Sequence, residues 1–222
     1  MSTVIAGKQT VILLHGLSRT RLSMLRMEQV LSRRGYRVIN VNYPSRTRPI
    51  AELAEMTIDG CLQHVPDTTD YIHFVTHSLG GILVRQYTEQ HQIAQLGRVV
   101  MLGPPNQGSE VVDLLRKMPG IGWWHGPAFQ QLGTTDQDLP RQLEAVNFEL
   151  GVIAGKRSMN LVLSRLLPGD NDGKVSVEST KVEGMRDFIT LPCTHTFMMR
   201  NPEAMRQTLH FLQHGHFDHD TV

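Results

Sequence analysis

The chain is poor in several things that would place it in a specialised class. Only two of its 222 residues are cysteine, Cys61 and Cys193, and they lie far apart. That excludes a disulfide framework and suits a reducing compartment, so a cytoplasmic setting is expected. Neither sign of charge prevails: 22 basic and 21 acidic residues leave a formal net charge of +1. No strongly basic balance calls for nucleic acid, and none is expected as a partner. No apolar run is long enough to cross a bilayer, so no integral membrane segment is expected. The opening stretch, Met1 to Lys8, lacks a basic region followed by a long apolar core, and a secretory signal is not expected either. There is no internal repeat, low-complexity tract or clear linker.

What the chain does have is a 40% hydrophobic composition over 222 residues, enough for one domain, 1–222, with a substantial core. Apolar runs alternate with helical patterns. Thr10–Leu14 reads as a buried strand, followed by a helix with Met24, Met27, Val30 and Leu31 inward and Gly35 as its stop. Tyr36–Val41 is the next strand. Ile50, Leu53, Ile58, Cys61, Leu62 and Val65 then recur at helical spacing. Further strands are expected at Tyr71–Val75, Val99–Leu102, Leu150–Ala154 and Phe188–Leu191. A last helix opens at Asn201-Pro202-Glu203, where Asn can cap and Pro suits the first turn. The histidine-rich end, His214 to Asp220, reads as a frayed tail. His210 and His214 have the spacing of a helical metal pair but no fixed third ligand, so no metal is expected.

Continuously apolar strands separated by helices imply a parallel sheet covered on both faces. Right-handed crossovers bring the C-terminal ends of those strands to one edge, where ligands bind. His15-Gly16-Leu17, Ser78, Gly103 and the loops after Ala154 and Leu191 should gather there. Ser78, in Thr76-His77-Ser78-Leu79-Gly80-Gly81, sits between a strand and a helix, the layout that exposes a nucleophilic hydroxyl on a sharp turn. A serine needs a base, and the base needs an acid that fixes its tautomer. His195, just past the last strand, and Asp172, in Gly169-Asp170-Asn171-Asp172-Gly173, come in the order nucleophile, acid, base; Asp170 is the alternative acid. The oxyanion needs preorganised amides, and the candidates are the N–H groups of Leu79 and Leu17. Each of these residues also has a plain structural reading: Ser78 as a helix N-cap, Asp172 as a turn former, His195 as a loop histidine. His77 and His15 read as packing around the turn and the oxyanion loop, His73 and Cys61 as core, and Cys193 as a half-buried loop residue.

Taken together, these segments resemble a bacterial α/β-hydrolase of the lipase/esterase type over roughly residues 10 to 213. Leu13–Leu17 is similar to that family's oxyanion-loop strand, and Thr76–Gly80 to its nucleophile elbow, with Thr76 where the usual pattern has glycine. Gly103–Ser109 is similar to its Pro-x-x-x-Gly-Ser loop, Asn171–Val175 to its acid-bearing turn and Thr194–Thr196 to its histidine position. The resemblance implies a minimal α/β-hydrolase fold: a mostly parallel sheet of about six strands with helices on both faces. The Gly/Pro-rich stretch Met118–Phe129, in an insertion around 110–145, reads either as a small cap in which Trp123 and Trp124 contact substrate or as a surface loop whose tryptophans pack on the sheet. The resemblance also implies cleavage of a small-molecule acyl ester through an acyl-enzyme on Ser78, with no cofactor. A thioesterase, amidase or acyltransferase would use the same residues, and a non-catalytic binding module on this fold is the alternative of another class. The oligomeric state is left open.

Overall fold

The apolar runs pair as strands because, buried on both faces, they have no polar side to turn to water. The computed structural model describes residues 8–118, 125–158, 167 and 169–221. The strands are β1 (Gln9–Leu14), β2 (Arg37–Asn40), β3 (Tyr71–His77), β4 (Leu96–Leu102), β5 (Leu150–Gly155) and β6 (Asp187–Leu191). They form one six-stranded sheet in the order β2-β1-β3-β4-β5-β6. Every pairing is parallel, where the sequence led us to expect a mostly parallel sheet. β4 begins at Leu96, ahead of the expected Val99, because its first residues include Gly97 and Arg98, which an apolar pattern does not register.

Period-two alternation sorts the side chains into two cores. Ile12, Leu14, Phe74, Val99, Met101 and Val152 meet α2 (Ile50–Leu62) and α3 (Leu79–Gln90) on one face. Val11, Leu13, Val75, Val100, Leu102 and Ile153 meet α1 (Leu25–Arg33) and the C-terminal helix, α5 (Pro202–His214), on the other. Between β4 and β5 lie α4 (Glu110–Arg116) and two single-turn helices, Pro127–Gln130 and Leu139–Gln142. Trp123 and Trp124 lie outside the described residues. Among the described residues, no helix is long and apolar enough to cross a membrane.

α5 starts as its sequence requires: Asn201 Oδ1 accepts from the amides of Glu203 (2.9 Å) and Ala204 (3.0 Å). The chain beyond α5 is anchored, contrary to the expected frayed tail. Gly215 caps the helix at φ 79°, and the chain folds back so that Phe217 is 1% exposed, its ring 5.0 Å from that of Phe211. Asp187 accepts the Phe217 amide (2.6 Å), and Asp218 pairs with Arg206 (2.7 Å). A single aromatic among polar residues carries this anchoring, and composition hides it. In the same region His210 Nδ1 and His216 Nδ1 turn to the backbone carbonyls of His216 and Phe217.

Candidate active site

β1 has β2 on one side and β3 on the other, so the crossovers leaving β1 and β3 diverge and open a crevice at the C-terminal edge. Ser78 stands at that edge with φ 52° and ψ −118°. Among the described residues only Ser78 and Ser18 combine a side chain with positive φ. Such a conformation costs roughly 1–3 kcal/mol and must be held by its surroundings. Here the holding is visible: the Ser78 amide donates to Leu102 O (2.9 Å) and Ser78 O accepts from Gly81 (3.0 Å). A Cβ at Gly80 would lie 2.7 Å from Leu14 O, so only glycine lets α3 pass this close to β1. Ser78 makes no side-chain cap bond to the helix, so it is not acting as an N-cap.

His195 opens a short 3-10 turn (His195–Arg200) beyond β6. Its Nδ1 lies 2.7 Å from Asp172 Oδ2, and both residues are buried, at 4% and 3% exposure. The other carboxylate oxygen, Oδ1, accepts the amides of Lys174 (3.0 Å) and Val175 (2.9 Å), an Asx-type turn. The His195 amide donates to Asp172 O (3.1 Å), which fixes the spacing of the pair. Asp172 is therefore both turn former and histidine partner. Asp170 is exposed; among the described residues its backbone carbonyl accepts from Val177 N–H and its carboxylate makes no hydrogen bond or ion pair with His195, whose Nδ1 is on Asp172. Ser78 and His195 line one cavity of 160 Å³. No hydrogen bond joins them here, and such contacts often tighten only once substrate is bound.

His77 is packed beside the turn, as expected, and it also reaches the histidine loop. Its Nε2 donates to His195 O (3.0 Å), and the two rings are 4.8 Å apart. Complete burial, then the nearby His195, lower its pKa well below the usual histidine range and keep it neutral. The loop after β1 is held by Tyr43, an aromatic in the loop that follows β2, which the sequence did not single out. The His15 ring stacks on Tyr43 at 4.0 Å, and the Tyr43 hydroxyl donates to His15 O. His15 Nδ1 donates to Gly16 O (2.8 Å) while Nε2 accepts from the Tyr43 amide (3.3 Å), so the ring is neutral in this tautomer. A Cβ at Gly16 would come within 2.7 Å of His77 Nδ1, which is why the loop can lie against the turn. Neither Leu17 N–H nor Leu79 N–H donates to an acceptor among the described residues.

The cavity's apolar wall comes from Val111, Val112 and Leu115 of α4, with Phe129, Leu132 and Val175. Ser109, in the Gly103–Ser109 loop, ties this wall to the acid turn by donating to Lys174 O (2.8 Å). A larger hollow of 740 Å³ lies at the opposite edge of the sheet, between Tyr71, Leu96 and Phe148. It contains no nucleophile beside a base, and its charged residues Arg98 and Glu149 are paired with each other (2.7 Å).

A parallel sheet with a strained serine between strand and helix, and a buried carboxylate–imidazole pair at the same edge, defines a protein of the α/β-hydrolase class. The chain belongs to the alpha/beta hydrolase family, whose model matches residues 11–192. Among solved structures, the mature lipase BlEst2 of Bacillus licheniformis is similar over 93% of this chain and 92% of that one, with 18% identity and a TM-score of 0.78. Phospholipase PlaB of Legionella pneumophila is similar over 93% of this chain but 58% of its own, with 17% identity and a TM-score of 0.71. The metagenomic carboxyl esterase MGS0156 covers 86% of this chain and 65% of its own, at 21% identity and a TM-score of 0.65. At such identities the likeness is one of fold. No curated protein sequence matches the chain.

Proposed function

We propose that the protein is a serine carboxylester hydrolase. The observation that carries this reading is the 2.7 Å contact between Asp172 Oδ2 and His195 Nδ1, buried at the cavity onto which the strained Ser78 opens. With Nδ1–H committed to the carboxylate, Nε2 is the basic nitrogen. It takes the Ser78 Oγ proton as that oxygen attacks the ester carbonyl. The developing oxyanion accepts from Leu79 N–H and Leu17 N–H, neither of which donates to an acceptor among the described residues. As the tetrahedral adduct collapses, the ester C–O bond breaks and His195 delivers the proton to the leaving alcohol. Water, deprotonated by His195, then attacks the acyl-enzyme; the acid leaves and the proton returns to Ser78 Oγ. No cofactor enters these steps. Cys61 and Cys193 are both buried and unpaired, which favours the cytoplasm as the site of action.

The test combines a fluorophosphonate probe with a substrate panel. Wild type should be labelled at Ser78, and Ser78→Ala should be neither labelled nor active. Nitrophenyl esters, acyl thioesters and anilides of equal acyl length, run side by side, rank the leaving groups, and the ester should have the highest kcat/KM. Labelling that persists in Ser78→Ala removes Ser78 as the nucleophile.

A further inference from the structure

The cavity beside Ser78 is chemically two-sided. Its apolar wall suits an acyl chain. Its other rim carries Arg19, from the loop after β1, and Lys174, from the acid turn. Neither cation has an ion pair or side-chain hydrogen bond among the described residues, whereas Arg48, Arg98, Arg116, Arg141, Arg186 and Arg206 each pair with a carboxylate. No carboxylate among the described residues lines the cavity, and Asp172, beside Lys174 in the chain, has both oxygens engaged. Lys174 is exposed, and its pKa is lowered by partial burial and then by Arg19, while the Asp172 charge opposes this. Water screens part of the repulsion between the two cations, and an anion entering between them would relieve the rest.

The surroundings of Arg19 extend this basic rim. The tetrapeptide Ser-Arg-Thr-Arg occurs at 18–21 and again at 45–48, too short to be a structural repeat. The folds of the two loops bring the copies together: the Ser18 amide donates to Ser45 Oγ (3.0 Å). They line a groove of 610 Å³ with Ser18, Arg19, Thr20, Pro44, Ser45 and Arg46 among others, and Ser18 and Arg19 also line the cavity. Arg19 and Lys174 thus line the same cavity as Ser78, Val111, Val112, Leu115 and Phe129, so one site offers both a cationic and an apolar lining to the two halves of one ester.

We infer that the substrate is an acyl ester whose alcohol half carries a phosphate group, with the acyl chain against α4 and the phosphate held by Arg19 and Lys174. This rests on the ester-hydrolase reading above. Phosphate is favoured over carboxylate by charge, because a phosphate monoester carries about two negative charges near neutrality and so matches both cations. A carboxylate would leave one of them uncompensated.

Two measurements test this separately from the hydrolase reading. In the first, acid release is monitored with dibutyrylglycerol 3-phosphate, dibutyrylglycerol and butyryloxyacetate. Wild type should prefer the phosphate ester over the neutral one by at least tenfold in kcat/KM. Arg19→Gln with Lys174→Gln should reduce that preference at least tenfold, while Lys174→Arg keeps it. A preference under twofold with the neutral ester still cleaved overturns the inference and leaves the hydrolase reading standing. Preference for butyryloxyacetate overturns the choice of phosphate. In the second, Ser78→Ala is titrated calorimetrically with hexyl phosphate, inorganic phosphate and hexanol. Hexyl phosphate should bind at least tenfold more tightly than either of the others, and the Arg19→Gln, Lys174→Gln background should remove the difference. Equal binding of hexyl phosphate and hexanol refutes the inference even if no ester is turned over. Equal binding of inorganic and hexyl phosphate would mean that a free anion alone occupies the rim, which also refutes it.

Discussion

Thr76 stands where the nucleophile-elbow pattern usually has glycine, and its environment yields a prediction with a sign. It is fully buried in β3, paired with Leu14 of β1 and Met101 of β4, and its Oγ1 has no hydrogen-bond partner among the described residues. A buried hydroxyl without a partner costs roughly 1–3 kcal/mol, because it gives up water and gains nothing. Thr76→Val exchanges that hydroxyl for a methyl of almost the same shape. The variant should be more stable by about 1–2 kcal/mol, which for a chain of this length raises Tm by about 2–8 °C. Thr76→Gly restores the usual residue but, against valine, forfeits three buried carbons at about 0.8 kcal/mol each and adds roughly 0.5–1 kcal/mol of backbone entropy in a strand. It should fall about 3 kcal/mol below Thr76→Val. Urea unfolding with an unchanged m-value measures all three proteins. A Thr76→Val protein less stable than wild type would refute the reasoning, because Oγ1 would then have a partner such as a buried water. A glycine variant more stable than both would show that Thr76 strains the turn.

Three other expectations rest on features of different kinds. Asp172→Asn keeps the Oδ1 acceptor for the Lys174 and Val175 amides but presents a donor to His195; its kcat should fall by about 10³–10⁴ with the fold intact, as expected for the wrong imidazole tautomer. Asp170→Asn should stay within about twofold, and the reverse ranking would reassign the acid. Phe217→Ala should cost about 3–5 kcal/mol in urea unfolding, whereas a frayed end would lose almost nothing. His73, whose Nδ1 accepts the Arg98 amide (2.8 Å), has its pKa lowered from 6.5 to about 4, mainly by burial. Between those values the unfolded chain takes up a proton that the folded chain refuses, so stability is lost as pH falls through that window. The share from this residue is about 3 kcal/mol. His73→Asn, which retains an acceptor, should flatten the decline by about that amount; a slope equal to that of wild type would contradict this.

Much of this was legible in the sequence because the chemistry sits at strand ends, and buried parallel strands announce themselves as apolar runs. Ser78, His195 and the loop at Leu17 each come directly after such a run, and the structure brings the segments to one edge. Asp172 was separable from Asp170 only through the turn pattern around it; the structure supplies the physical reason, since only Asp172 is buried with one oxygen free for His195. What stayed hidden depends on contacts between distant residues. Tyr43 and His15 meet through two loops. Phe217 is one apolar residue inside a polar run. Arg85, in α3, is buried without a carboxylate and donates to the carbonyls of Asn106 (2.9 Å) and Leu143 (2.9 Å), so its surface-like residue type misleads. Arg19 and Lys174 vanish into a near-zero net charge, which reports a sum and not an arrangement.

The turn that carries Asp172 has a consequence for how this protein can change over time. Asp172 takes its position from its own loop, through its carbonyl, amide and Oδ1, and from the amide of His195. The turn is in effect a preassembled part clipped onto the histidine loop. The two loops can therefore be exchanged together, as one unit that keeps the carboxylate and the imidazole in register.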